Sequence, residues 1–442
     1  MSRRLSTAAG AAGFVCVVAL APPAARAAGL ALVATHAVNS GNTAWLLTST
    51  ALVLSMTLPG LVAFYSGLVR SKNVLSVAMQ CFAIACLVSI LWVAGGYGLA
   101  FGRGGTLQEL IGSPAAGWLG SIGRNALHGT TPVAAFAMFQ LTFAIITPAL
   151  VIGGFAERIK FSAVLWFSGL WLLLVYLPVC HWVWGGGWLA RLGVLDFAGG
   201  IVVHVTAGVG ALVSALVLRE RKGFPHLAMP PHNMTLTILG AGMLWVGWFG
   251  FNGGSALAAN GTAAMAILVT HLGASAGALA WMSAEWRKFG KPSVLGLVTG
   301  MVAGLGTITP ASGFVGPLGG VIIGATAGLV CFSATQVLKR KLLIDDSLDV
   351  SPVHGVGGVL GTTLTGVFVA APLGGVGYAA GMDLLRQVGV QILGVVSVGL
   401  WCAGLTYVIL KVLQATIGLR VTEDQEREGL DLSQHGERAY NE

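Results

Sequence analysis

Long apolar runs alternate with short polar breaks along almost the whole chain. Runs of helical length fall near 43–68, 73–101, 131–155, 161–184, 197–218, 234–252, 262–284, 294–309, 314–338, 353–370 and 385–413. A helix needs about 20 predominantly apolar residues to cross a hydrocarbon core, and these runs approach or exceed that length. Backbone groups in lipid find no water, so such runs are read as helices that satisfy their own hydrogen bonds. The pattern predicts an all-α polytopic membrane protein with about eleven transmembrane helices.

The polar breaks set the orientation. With an outside start, alternate breaks hold Arg70 and Lys72; Arg158 and Lys160; Arg219, Arg221 and Lys222; Arg287, Lys288 and Lys291; and Lys339 to Lys341. With Lys411, Arg420, Arg427 and Arg438, seventeen of the 24 Lys and Arg residues lie inside, against Arg103, Arg124, Arg191 and Arg386 outside. Positive residues gather on the cytoplasmic side, so the N-terminus is expected outside and the C-terminus inside. Residues 1–28 read as a signal peptide, with Arg3 and Arg4 before the apolar stretch Gly10 to Leu20 and an A-x-A site at Ala25-Arg26-Ala27. Residues 29–417 form the membrane domain, and 418–442 a polar cytoplasmic tail.

Composition adds little but excludes much. The 442 residues are 55% hydrophobic and 9% charged, where soluble domains carry about 25% charged residues. The mean hydropathy is +0.83 and the pI about 9.4. Because the basic residues sit in loops between spans, the basic pI reflects topology and not nucleic-acid binding. Five cysteines beyond the leader (Cys81, Cys86, Cys180, Cys331 and Cys402) lie in apolar runs without C-x-x-C spacing. They read as small buried hydrophobes, neither a disulfide frame nor a metal site. No cofactor is implied, and no nucleophile motif points to an enzyme.

Against this background two histidines stand out. His204 and His354 sit in apolar runs, each eight residues after an aspartate (Asp196, Asp346) and each opening H-x-x-x-G, with Gly208 and Gly358. An ionisable side chain inside a membrane is expensive and is a functional-site hypothesis by default. A lone buried histidine is most often a hydrogen-bonded core residue, but here the signature is duplicated. His204 falls in the fifth span and His354 in the tenth. An inverted repeat of five plus five helices, with one extra C-terminal helix, would bring both imidazoles together near the midplane. Asp196 and Asp346 would cap those two helices from opposite sides, Asp196 also facing the outer entrance.

Paired imidazoles in an apolar pore donate and accept hydrogen bonds and relay protons, without compensating a full charge. That suits a small substrate able to shed a proton, such as ammonium. Phe139 and Phe143 are spaced i, i+4, as are Phe251 and Ser255, and Trp184 ends the fourth span at the outer face. The phenylalanines offer a hydrophobic constriction, Ser255 a hydroxyl acceptor, and Trp184 a ring face for a cation. Each taken singly also reads as packing or as an interfacial anchor.

The sequence resembles the ammonium transporter family (Amt/Mep/Rh superfamily), specifically its bacterial Amt branch. The words that carry the resemblance are LPGLVAFYSGLVRSKNVLS (58–76), AFAMFQLTFAIITPALVIGGFAERIKFSA (135–163), HWVWGGGWL (181–189), LDFAGGIVVH (195–204), GWFGFNGGSA (247–256), DDSLDVSPVHGVGG (345–358), LGGVGY (373–378) and the tail GLRVTEDQEREGLD…HGERAY (418–440). The resemblance implies homotrimers in the cell inner membrane, each eleven-span protomer with its own pore. Trp184, Phe139, Phe143 and Ser255 match the external recruitment site, Phe143 and Phe251 a stacked gate, and His204 and His354 a twin-His pair. Asp196 matches a structurally essential acid. The resemblance also implies that the tail presents a surface to a PII-type cytosolic regulatory protein. The other readings are an Rh-type ammonia/CO2 channel and an ammonium sensor signalling through its tail. The outer Trp184 and the tail word favour the Amt branch over the Rh branch.

Overall fold

A computed structural model describes residues 37–120 and 122–440; the expected signal peptide, 1–28, lies outside the described residues. Among them, ten helices are long and apolar enough to cross a membrane. In chain order the long helices are α1 (Ser40–Leu68), α2 (Ser71–Phe101), α3 (Val133–Phe155), α4 (161–183), α5 (Gly200–Leu218), α6 (Met234–Gly254), α7 (Gly261–Phe289), α8 (Val294–Ile308), α9 (Pro317–Gln336), α10 (351–368) and α11 (Leu384–Thr416). The least apolar is α10, because His354, Pro352 and several glycines interrupt its apolar run. The protein is a multi-pass, all-α membrane protein. Outside the helices, a two-residue hairpin, β1 (Leu127–His128) against β2 (Thr131–Pro132), precedes α3.

Burial sorts the helices. α3 is hydrophobic all round, and 94% of its apolar window is buried, so it is the central post of the bundle. α11 buries only 33% of its window and lies against the outside, over α5 and α10. Small residues bring neighbouring backbones close where lipid offers no hydrophobic drive for association. Gly240 of α6 meets the Phe64 backbone of α1, and Gly277 of α7 meets Gly300 and Gly304 of α8.

Several spans contain a wide, π-helical turn, including Met56–Leu61 around Pro59, Gly200–Val205 and Ser351–Val356. Such turns recur at functional sites. The last two carry His204 and His354. There α5 and α10 cross in close contact: a Cβ on Gly208 would collide with Gly355, and one on Gly358 would stand 2.8 Å from the Gly200 carbonyl oxygen and 3.0 Å from the His204 Cβ. The repeated H-x-x-x-G is thus the crossing point of the two histidine helices.

At the end of the bundle that carries Asp345 and Asp346, the tail folds back on its own chain. Ile159 forms a β-bridge with Arg420, and Lys160 N–H donates to the Leu419 carbonyl. Arg420 donates to the Leu218 and Glu220 carbonyls, and its ion pair with Glu426 measures 2.7 Å. A short helix, α12 (Glu423–Glu428), opens with a Thr422 capping box. Beyond it, Asn73 Oδ1 accepts from Leu430 N–H and Asp431 Oδ1 accepts from Ser76 N–H. The tail therefore joins three polar breaks that are distant in sequence. Beneath it lies a buried ion network in which Arg221 bridges Glu157 (3.0 Å) and Asp345 (2.7 Å), and Arg70 also pairs with Glu157. Burial alone would raise both carboxyls, but the guanidiniums hold them below their usual range.

Candidate functional site

Two vestibules approach the histidine pair from opposite ends. The outer one holds about 300 Å³ and is lined by Phe136, Gln140, Phe143, Trp184 and Ser255 among others. Trp184 sits where α4 ends, its indole N–H donating to the Asp196 carbonyl at 2.9 Å. That bond consumes the polar edge of a ring that lines the cavity, and the Phe143 ring stands perpendicular to it at 5.7 Å and 88°. The Ser255 hydroxyl donates to the Phe251 carbonyl one turn earlier (2.8 Å), so its oxygen keeps lone pairs for an incoming N–H. The Gln140 Oε1 is buried without a partner and is a second acceptor on this wall.

Phe139 does not line the vestibule. It is fully buried, 5.1 Å edge-on behind Phe143, with its ring against Gly254. Phe136 lines the cavity instead and stacks at 3.8 Å under His128 of the hairpin, whose imidazole burial holds below its ordinary pKa. The reason is angular. At 100° per residue, positions 136 and 143 fall closer to one line along α3 than 139 and 143 do. Neither Phe136 nor Gln140 was singled out from the sequence, although the i, i+4, i+7 spacing to Phe143 contained the signal. His128 left no sequence signal, since only the hairpin brings it there.

Phe143 and Phe251 close the floor, their rings 4.2 Å apart and 31° from parallel. Below them is a narrow, largely apolar gap of about 10 Å³, bounded by Met56, Ile146, Leu244, Trp248 and both histidines. His204 and His354 meet there with Nδ1···Nδ1 at 3.1 Å and rings 20° apart. Trp248 stacks on His204 at 5.6 Å. One Nδ1 must donate and the other accept, so in the neutral pair one Nε2 is bare and the other carries hydrogen. The pair can therefore both accept and donate along its length, and exchanging tautomers moves a proton. The His204 Nε2 has no partner within the protein. Past His354 the inner vestibule opens to about 280 Å³, lined by Tyr65, Thr299, Lys339, Ser347 and Asp349 among others.

The two aspartates differ from the simple N-caps expected. The residue at the start of α5 is Gly199, in the left-handed region (φ 117°), which turns the chain so that Asp196 reaches the helix from upstream. Asp196 Oδ1 accepts from Gly199 and Gly200 N–H (2.9 and 2.5 Å), and Oδ2 from Ile201 and Val202 (2.8 and 3.1 Å). Burial raises its pKa and the four N–H groups oppose that rise. Asp346 accepts a single backbone bond at the foot of α10, from Ser351 N–H at 2.6 Å, and the Ser351 hydroxyl also interacts with it. Burial, with the neighbouring Asp349, pushes this carboxyl up to about 6.

The family model described as Ammonium Transporter Family matches residues 44–440. An "Ammonium transporter" of Aquifex aeolicus is 48% identical over 406 residues, covering 91% of this chain and 94% of its own length. One from Bacillus subtilis is 45% identical over 407 residues, covering 90% and 98%. Among solved structures, a "Sensor Amt Protein" superposes with TM-score 0.83 at 31% identity, covering 89% of this chain and 98% of its own. Saccharomyces cerevisiae Mep2 superposes with TM-score 0.78 at 35% identity, covering 88% and 92%.

Proposed function

The chain belongs to the ammonium transporter family, and on that premise we propose that it recruits NH4+ at the outer vestibule and conducts NH3 through the histidine pair. The observation that carries this reading is the 3.1 Å Nδ1 pair in a gap of about 10 Å³ behind stacked phenylalanines. An ion entering so narrow and apolar a space loses several kcal/mol or more of hydration. At the mouth, the Trp184 and Phe143 ring faces offset part of this, at about 0.5–2 kcal/mol for a cation over each face. The Ser255 hydroxyl and Gln140 carbonyl supply acceptors for N–H groups. Below Phe143 and Phe251 no carboxylate among the described residues lines the gap, so ammonium must give up its proton to proceed. Neutral NH3 then needs one donor and one acceptor, which the tautomeric pair supplies. The proton follows separately through exchange of the imidazole tautomers.

The same reading sets the protein in the cell inner membrane as a homotrimer, N-terminus outside, with each protomer carrying its own pore. The docked tail, with Arg420 and Glu426 bound and Glu423 and Glu428 exposed, is the surface for a PII-type regulator. The experiment is the current evoked by ammonium pulses in proteoliposomes across a pH series. The reading expects an ammonium current absent from His204→Ala and no current with K⁺. A K⁺ current as large as the ammonium current would overturn it.

A further inference from the structure

The two aspartates occupy matching places in the two halves of the chain, yet their surroundings differ in a way capping does not explain. Asp196 has both oxygens saturated by four backbone N–H groups and has no capacity left for a mobile proton. Asp346 spends one oxygen on Ser351 N–H and leaves Oδ1 buried with no backbone donor. The Ser351 hydroxyl beside it is also buried and interacts with this same carboxyl. Where Asp196 is saturated by backbone N–H groups, Asp346 instead meets a hydroxyl, which both donates and accepts a proton. Both lie at the foot of α10, and Ser351 opens the wide turn Ser351–Val356 that also carries His354. Ser347 to Asp349 separate this nook from the inner vestibule that His354 also lines.

Resting on the reading that the proton travels apart from NH3, we infer that Asp346 is the inner proton acceptor of the histidine pair. His354 gives up its proton, the Ser351 hydroxyl passes it on as it receives one, and the Asp346 carboxylate becomes a carboxylic acid. That acid then releases the proton to the inner vestibule, which restores the carboxylate with no net change in the protein. The groups around it suit a carboxyl that changes charge. Asp349, Lys339, Arg158 and the Tyr65 phenol, itself bonded to the Leu150 carbonyl, all act on it electrostatically, and Arg158 also donates to the Asp345 carbonyl. Its pKa, raised to about 6 by burial and the neighbouring Asp349, lies above an ordinary aspartate's. Asp196, by contrast, is a structural cap only.

The test is Asp346→Asn in proteoliposomes. Asparagine retains an oxygen for Ser351 N–H but takes up no proton. The ammonium-evoked current should be lost in the inserted, folded variant while K⁺ remains excluded. Asp346→Glu should restore current with a shifted pH profile. In the parent, current should fall as the inner pH drops through the carboxyl's pKa, because an already protonated acceptor is blocked. Parental current from Asp346→Asn at every pH would overturn the proposal. If Asp346→Asn does not fold, Asp346→Glu decides, and full current with an unshifted profile overturns it. A parent that carries no ammonium current would instead remove the reading beneath, and the acceptor role with it.

Discussion

Replacing Asp196 tests how the outer aromatic site and the first histidine are held in one frame. The carboxylate accepts four N–H groups at the start of α5, and its own carbonyl fixes the Trp184 indole. An ordinary N-cap lost to alanine costs about 0.5–2 kcal/mol. Here four donors lose a charged acceptor in a site only 6% exposed. At roughly 1–3 kcal/mol for each buried unsatisfied group, with water reaching some from the vestibule, the sum is about 4–6 kcal/mol. That approaches the whole stability of many domains, about 5–15 kcal/mol. Asp196→Asn keeps one acceptor oxygen for two N–H groups but turns an NH2 toward the other two. It should therefore fall between parent and Asp196→Ala, with a loss of roughly 2–4 kcal/mol. The assay is unfolding of the detergent-solubilised protein by heat or denaturant, beside uptake of the analogue methylammonium. The reasoning fails if Asp196→Ala lies within about 1 kcal/mol of the parent, the scale of an ordinary cap.

Trp184→Leu removes one cation–π face and should weaken uptake of trace methylammonium about 2- to 30-fold, with less effect at saturating ammonium; equal uptake at both levels would separate Trp184 from recruitment. The ion network predicts a pH profile of stability with two limbs. Glu157 and Asp345 have depressed folded pKa values, so their contribution is full above the unfolded carboxylate range of about 4 and is lost as pH falls through the folded values. Asp346 has a raised value, about 6, so acidification through that value should raise stability first. Glu157→Gln should flatten the acid limb, and Asp346→Asn the gain above it, in unfolding measured across pH. A Glu157→Gln profile as steep as the parent's in acid would assign that limb to other groups.

Much of this arrangement was legible in the chain because the physics that sets it is local. Span length and charged breaks follow from the bilayer, and the repeated H-x-x-x-G encoded both the histidine pair and the glycine that lets its helix cross the other. The exact lining of the vestibule was less legible. Positions 136, 139 and 143 all fall near one face of α3, and a small angular offset, with packing against Gly254 and the hairpin, assigns 139 to the interior and 136 to the cavity. The number of bonds each aspartate accepts depends on the turn at Gly199 and on the wide turns that follow, neither of which has a hydropathy signature. The tail's polarity suits solvent and docking alike, and its place is decided by partners such as Asn73 and Ile159 hundreds of residues away.

The central claim is that a narrow apolar pore with two neutral imidazoles excludes ions because nothing there compensates their charge. His204→Asp places a carboxylate beside the 10 Å³ gap and lowers the barrier to a bare cation. The measurement is K⁺-dependent current through His204→Asp in proteoliposomes, with insertion verified and His204→Ala as the uncharged control. The account predicts K⁺ current in His204→Asp alone, with ammonium still passing. Strict exclusion of K⁺ by inserted His204→Asp would contradict it and move selectivity to Phe143 and Phe251.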